Sequence, residues 1–460
     1  MKLLSLIMAW AMCFSWSLWP AYTQAQGVVF DAELYKSVPL AAPLLRGDMT
    51  NLPTSFSLQA YAPRPRNQGA YGTCVGWSVA YAARTMLLAI DNQWKDKEVI
   101  TQNALSPFFL YERSKGKNDY QCQEGISLYK GLEEIKNTGS VPLNDFAEAC
   151  GKTVTKQQEI DAAKFKIKDY KRLFDTYAAN KEELIKKAIA EKKPVVVGIQ
   201  CCFESFKNAK STDYWMPKLN DPFIDEGHAL VVVGYDDELE GGSFQLMNSW
   251  GSSWGNQGFL WVSYKDFVPM IYEGYEMSVE NNTSLTSLSG QVNFMLSAGY
   301  EMVANFNEKG YYEMADKYYS GTLFRLFISN QEPSYVYAFG LDQQFKTYRI
   351  FPFSPEVSPY LGYQRNNVAI PDESHFVKLD QNPGDEFFLV LYSKEKLDLA
   401  SIMQKMEITQ GDVMARLRFA LGDKLMEPRE IAYNRTGKMG FKGISTTKTI
   451  VPLIILLKHL

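Results

Sequence analysis

The sequence predicts an α+β architecture in more than one domain, on three observations. After Thr73, apolar residues recur at Val75, Val79, Ala82, Met86 and Ile90, the spacing of one helix face. Between Ala229 and Met247, two strand-like runs flank the turn-like stretch 236–242 and read as a β-hairpin. Beyond about Ser284, short alternating runs rich in aromatics, such as 322–328 and 335–339, read as strands separated by polar turns. At 460 residues the chain is long enough for two or three domains. A net charge of −4 with no basic cluster gives no footing for nucleic acid.

The elements follow in order. Residues 1–21 carry one early lysine and a largely apolar run through Trp19, and Thr23-Gln24-Ala25 is a tolerable cleavage site. Residues 1–25 therefore read as a secretory signal peptide that removes Cys13, and the expected location is secreted or periplasmic, in a bacterium. No other segment is long and apolar enough to cross a bilayer, and 451–457 reads as a buried final strand. Thr73 is a plausible N-cap, which puts Cys74 in the first helical turn, where unpaired N–H groups and the helix dipole favour thiolate.

A thiol nucleophile needs a base, and histidine is scarce. Only three occur, and His228 is the single one in the first 370 residues. It stands at the mouth of the apolar run 229–233. The hairpin midpoint lies near Glu238, so Asn248 is as far after the turn as His228 is before it, and the two should be cross-strand neighbours. An amide there would fix the imidazole tautomer and leave the other ring nitrogen facing the sulfur.

With these residues placed, the chain resembles the papain-like cysteine peptidases. Asn67-Gln68-Gly69-x-x-Gly72-Thr73-Cys74 resembles the family's nucleophile motif, with the glutamine six residues before the cysteine. The stretch 226–235 resembles its histidine motif, and 247–259, beginning Met247-Asn248-Ser249-Trp250-Gly251, its highly specific asparagine motif. The order is the family's, with 154 residues from Cys74 to His228. The resemblance implies a two-lobed fold over 52–278, a helical lobe plus a β-barrel-like lobe. A short segment, 26–51, would precede it, and a β-rich, sandwich-like domain, 279–460, would follow it.

Carried over position by position, Cys74 would attack the scissile carbonyl, His228 would hold the thiolate and protonate the leaving amine, and Asn248 would orient the ring. Gln68 and the Cys74 N–H would form the oxyanion hole, where losing one donor costs about 2.7–4 kcal/mol. Trp250 would shield the His–Asn bond from water. Residues 122–125, Cys-Gln-Glu-Gly, look like an altered copy of the family's Cys-Asn-Gly-Gly, which implies that Gly125 lets a substrate backbone pair alongside. Gly198, Ile126 and Ala229 would line the second specificity pocket. Small walls suit a bulky apolar or aromatic side chain before the cleaved residue, whereas nearby Glu226 favours a basic one, and the sequence leaves both open.

Two departures stand out: Val75 replaces the usual tryptophan after the nucleophile, and Tyr71 replaces the cysteine three residues before it. They imply a divergent, bacterial-type branch. With Cys74 kept free, Cys122 and Cys150 are the expected disulfide in an oxidising compartment. Cys201 and Cys202 read as small packing residues, and no metal or other cofactor is expected, since no CxxC or histidine partner accompanies the cysteines. Residues 26–51 are too short for the family's usual inhibitory propeptide, which implies that latency is arranged differently.

The stretch 334–398 resembles a bacterial domain of unknown function attached to secreted and signalling proteins, which implies a cell-surface or protein partner for the C-terminal part. His375 and His459 read as surface or packing histidines. Four intact catalytic positions favour an endopeptidase acting on protein or peptide substrates. An inactive papain-like scaffold, and an acyl transferase passing the acyl group to an amine, fit the same residues.

Overall fold

The computed structural model describes residues 27–279, 285–364 and 366–460. The expected signal peptide and the side chains of Cys201 and Cys202 lie outside the described residues. No described helix is long and apolar enough to cross a membrane.

The helix-periodic stretch is continuous from Cys74 to Asp91, α-helical over Cys74–Gly76, π-helical over Trp77–Arg84 and α-helical again over Thr85–Asp91. Val75, Val79, Ala82 and Met86 are all buried, as their spacing requires. Two glycines let neighbouring helices close on it. A Cβ on Gly76 would lie 2.3 Å from the Pro107 carbonyl oxygen, so Pro107–Ser114 packs directly on its first turn. A Cβ on Gly131, in Leu128–Asn137, would lie 2.6 Å from Val75 Cγ1. Thr73 is not a side-chain cap. Its φ and ψ of −100° and 14° depart from the extended conformation that aims an N-cap hydroxyl at the helix, and Oγ1 is buried without a partner. The turn is held instead by Gly72, whose N–H donates to the Cys122 carbonyl at 2.7 Å.

Facing the helices is one eight-stranded sheet. Its strands are β1 (Ser55–Ser57), β2 (Asp169–Arg172), β3 (Val195–Phe203), β4 (Tyr214–Trp215), β5 (Phe223–Asp236), β6 (Ser243–Met247), β7 (Phe259–Ser263) and β8 (Ile271–Ser278). The order is β2-β8-β3-β5-β6-β7-β4, with β1 also on β5. Residues 195–197 and 229–233 are buried because both faces of the central strands are covered. The β5–β6 hairpin forms as expected, but its register shifts between Val232 and Gly234, so that Val231 faces Met247. Continuing that register puts Asn248 two residues away from the position opposite His228, and His228 itself pairs with Ile199 on β3. The miss comes from the turn: Asp236 pairs with Ser243, so its centre lies between Leu239 and Glu240 rather than at Glu238, and the irregularity at Val233 takes back one residue of that offset.

The C-terminal part comprises β9 (Thr286–Leu296), β10 (Glu301–Met302), β11 (Ala304–Phe306), β12 (Tyr312–Tyr318), β13 (Leu323–Asn330), β14 (Ser334–Leu341), β15 (Thr347–Phe351), β16 (Tyr360–Leu361), β17 (Asn366–Ile370), β18 (Val377–Lys378), β19 (Gly384–Ser393), β20 (Ile431–Tyr433), β21 (Met439–Ser445) and β22 (Ile450–His459). They build two seven-stranded sheets that share one apolar core, with Val292, Phe294 and Leu326 from one and Val336, Val390 and Leu453 from the other. The last strand is central in its sheet, parallel to β12 and antiparallel to β19. Two helices, Leu399–Ile408 and Val413–Leu421, cover that sheet's second face through Ile402, Met406 and Leu417. Alternation alone did not foretell them, because it puts Tyr335, Tyr337 and Phe339 on one face of a strand without saying what covers that face.

The two halves meet through polar contacts. The Tyr363 hydroxyl donates to the carboxylate of Glu276, which is buried in the peptidase sheet and pairs there with Lys171 Nζ on the neighbouring strand at 3.4 Å. The N-terminal segment runs along this seam. Leu40 forms parallel bridges with Arg172 on one side and Val357 on the other, and Leu44 bridges Val368.

Candidate active site

His228 is fully buried at the point where β5 leaves the solvent, and its Nε2 lies 2.8 Å from Asn248 Oδ1. The Ser249 N–H donates to the same Oδ1 at 2.7 Å, which identifies that atom as an acceptor. Nε2 therefore carries the ring proton, and Nδ1, buried with no partner among the described residues, is the basic nitrogen. Trp250 stacks on the imidazole, with centroids 4.4 Å apart and planes at 26°, and closes the pair off from water. Trp254 and Phe206 meet it edge-on from behind.

Cys74, at the start of its helix, is fully buried, and its sulfur takes backbone hydrogen bonds at Ala229, Gly27, Val75 and its own N–H. Ala229 directly follows His228, which brings the sulfur to the strand that carries the imidazole. Gln68 is braced from two sides. Its Oε1 accepts from Ser249 Oγ at 2.6 Å, and its Nε2 donates to the Tyr71 carbonyl at 2.8 Å. The helix start would favour thiolate, but burial outweighs it and pushes the Cys74 thiol up to about 11. Burial likewise pulls His228 down to about 4; Asn248 raises it somewhat, and Lys207 repels its charge. The resting pair is a neutral thiol beside a neutral imidazole.

The burial has a visible source, because the chain's own residues 27–30 lie along the cleft. Ile126 N–H donates to the Gly27 carbonyl at 2.9 Å, Val29 N–H to the Ile126 carbonyl at 3.1 Å, and Val28 N–H to the Gly227 carbonyl at 3.2 Å. Gly125, at φ +72°, makes room for this strap, since a Cβ there would stand 2.1 Å from the Gly27 oxygen. The strap's own backbone pairing falls on Ile126, the residue after Gly125. Gly125 N–H is taken by the Tyr111 hydroxyl at 2.9 Å, and Ile126 makes both bonds to the strap. Gly27 is as tightly seated, because a Cβ there would lie 2.1 Å from the Gly72 oxygen.

Phe30 enters the space that Gly198 leaves open; a Cβ on Gly198 would meet Phe30 Cε1 at 3.0 Å and Leu128 Cδ1 at 3.1 Å. The acidic neighbour of this pocket is Glu273, whose Cβ would lie 3.5 Å from that of Gly198. Glu226 points elsewhere and pairs with Lys207 at 3.2 Å. Burial raises the Glu273 carboxyl to about 7, with Asp31 adding in the same direction. No local pattern marks Glu273, because it reaches Gly198 only through the β3–β8 register. Beneath the cleft, Cys122 and Cys150 form the expected disulfide, with Cα atoms 5.9 Å apart.

Residues 52–278 match the family model described as papain family cysteine protease. Among curated proteins, the chain is 25% identical over 204 residues to cathepsin K of Mus musculus, covering 44% of this chain and 57% of the relative. It is 29% identical over 211 residues to cathepsin J of the same organism, covering 45% and 58%. The chain thus spans less than two thirds of the length of these two relatives. Among solved structures, xylellain, a cysteine protease from Xylella fastidiosa, aligns at 20% identity over 56% of this chain and 97% of its own, with a TM-score of 0.46. Residues 52–278 of this chain are a domain of the papain family of cysteine proteases.

Proposed function

We propose that the chain is a secreted cysteine endopeptidase that hydrolyses peptide bonds of protein substrates through Cys74, His228 and Asn248. The observation that carries this reading is the orientation of His228. Asn248 Oδ1 can only accept, so Nδ1 is left as the base on a ring held under Trp250, beside the only free cysteine among the described residues. The molecule would be a helical lobe and a barrel-like sheet lobe across a cleft, followed by a sandwich-like domain. Support for this is the sheet facing the helix that starts at Cys74, and the core shared by the two C-terminal sheets.

In the reaction, the Cys74 proton moves to His228 Nδ1 and the sulfur attacks the scissile carbonyl carbon. The oxyanion is met by the Cys74 N–H and by the Gln68 amide turned from its present acceptor. His228 returns the proton to the leaving nitrogen as the C–N bond breaks, giving a thioester. Water, deprotonated by Nδ1, then hydrolyses the thioester and the thiol is restored. Gly198, Ile126 and Ala229 would receive the side chain before the cleaved residue, with Glu273 at the pocket wall.

The test uses the full secreted chain and a Gly27→Val variant, each with a Cys74→Ala counterpart. Expected is labelling by an epoxide-type cysteine-peptidase probe and cleavage of a mixed peptide library, both abolished by Cys74→Ala. Folded protein that does neither, even with the strap disrupted, would make the chain a papain-like scaffold.

A further inference from the structure

Residues 27–30 run from the catalytic cysteine towards the Gly198 pocket in the N-to-C direction, parallel to Ile126. A peptide to be cleaved would run the other way, with the side chain in that pocket preceding the carbonyl at Cys74. The strap therefore occupies the cleft without presenting a scissile bond in register. Past Phe30 it forms the helix Ala32–Ser37, whose Tyr35 hydroxyl donates to the Phe174 carbonyl at 2.5 Å.

Its continuation is shared with the C-terminal sheets. Leu40 N–H donates to the Glu356 carbonyl at 2.6 Å, and Ser358 N–H to the Leu40 carbonyl at 2.7 Å. Leu45 N–H donates to the Asn367 carbonyl at 3.0 Å, and the Asp48 carboxylate accepts from the Asn367 N–H at 2.6 Å and from its Nδ2 at 3.2 Å. The family match begins at residue 52, so the strap lies outside it.

We propose that the C-terminal domain is a latch: by fixing residues 40–48 it keeps residues 27–30 seated over Cys74, and loosening its grip opens the cleft. The physical basis is effective concentration, because a segment anchored close to its site rebinds far more often than one on a longer free tether. The latch rests on the peptidase reading only for its purpose, since its effect on Cys74 can be read without catalysis.

The experiment follows site-resolved alkylation of Cys74 by iodoacetamide in the full chain, alongside epoxide labelling. It compares wild type, Gly27→Val, which cannot seat against Gly72, and the double variant Leu44→Asp with Asp48→Ala, which weakens the anchor and leaves residues 27–30 unchanged. Gly27→Val should speed alkylation about tenfold or more, and the anchor variant about threefold or more. Amide exchange at Val28 and Val29 should rise in both variants while β14 and β19 stay protected, showing an intact C-terminal core. An anchor variant that alkylates and exchanges like wild type overturns the latch, as does a wild type that alkylates as fast as Gly27→Val. If the variants alkylate rapidly but never take the epoxide, the latch stands and the peptidase reading falls.

Discussion

At the scale of residues, the decisive group is a thiol whose environment contradicts its position. Cys74 opens a helix, yet burial under Gly27 and beside Ala229 raises it to about 11. A group whose charged form is disfavoured stays neutral until the pH approaches its raised pKa. In the resting chain, alkylation of Cys74 should therefore climb steadily above neutral pH with a midpoint above 9, and in Gly27→Val the profile should move to lower pH as water reaches the sulfur. A wild-type midpoint near 8 would mean the thiol is not buried in solution. Because thiol and imidazole act as one unit, Cys74→Ala and His228→Ala should each reduce kcat/KM of the opened enzyme by about 10³-fold or more, and the double variant little further. Substantial turnover by His228→Ala would remove it as the base. The roles proposed for these two residues rest on the scarcity of histidine and on the motifs, whereas the thiol's protonation state has no local signal, since it depends on atoms some 47 positions upstream.

At the scale of elements, two close approaches set stability around the site. Gly76 lets Pro107–Ser114 lie on the helix that starts at Cys74, and Gly76→Ala would force a Cβ to 2.3 Å from the Pro107 carbonyl. The expected loss is about 1–3 kcal/mol, measured by urea unfolding of the full chain. The Cys122–Cys150 disulfide closes 28 residues beneath the strap, and Cys150→Ser should cost about 2–4 kcal/mol under oxidising conditions. The apolar period announced the helix, but not its π-helical middle over Trp77–Arg84. The alternation announced the hairpin, but the turn is centred between Leu239 and Glu240, and the irregularity near Val233 restores only one residue of the resulting offset of Asn248. Local patterns specify which face is buried, and they are blind to one extra residue in a ladder.

At the scale of the whole molecule, the peptidase domain meets the C-terminal sheets at a buried carboxylate: Glu276, paired with Lys171 inside the peptidase sheet, accepts from the Tyr363 hydroxyl of the C-terminal part. Lys171 and Glu276 are 7% and 1% exposed in their side chains, with Tyr363 donating to the same carboxylate. Tyr363→Phe would remove this crossing hydrogen bond to a buried carboxylate, at a cost of about 1.5–3 kcal/mol. Thermal unfolding of that variant should then separate into two transitions, one for each half, and a single unshifted transition would show that the Tyr363 hydrogen bond does not couple them. The same loosening should speed Cys74 alkylation if the C-terminal domain holds the strap.

The sequence by itself determined the chemistry available: one cysteine at a helix start, one histidine on a strand, an asparagine motif after a hairpin, a disulfide pair and a buried last strand. These are encoded in short stretches whose spacing and residue types are local properties. Only the tertiary structure decided that residues 27–30 fill the cleft, that Glu273 rather than Glu226 borders the Gly198 pocket, and that helices cover one C-terminal sheet. Each of these is a meeting of segments far apart in the chain, fixed by register, burial and shape complementarity that no local pattern carries.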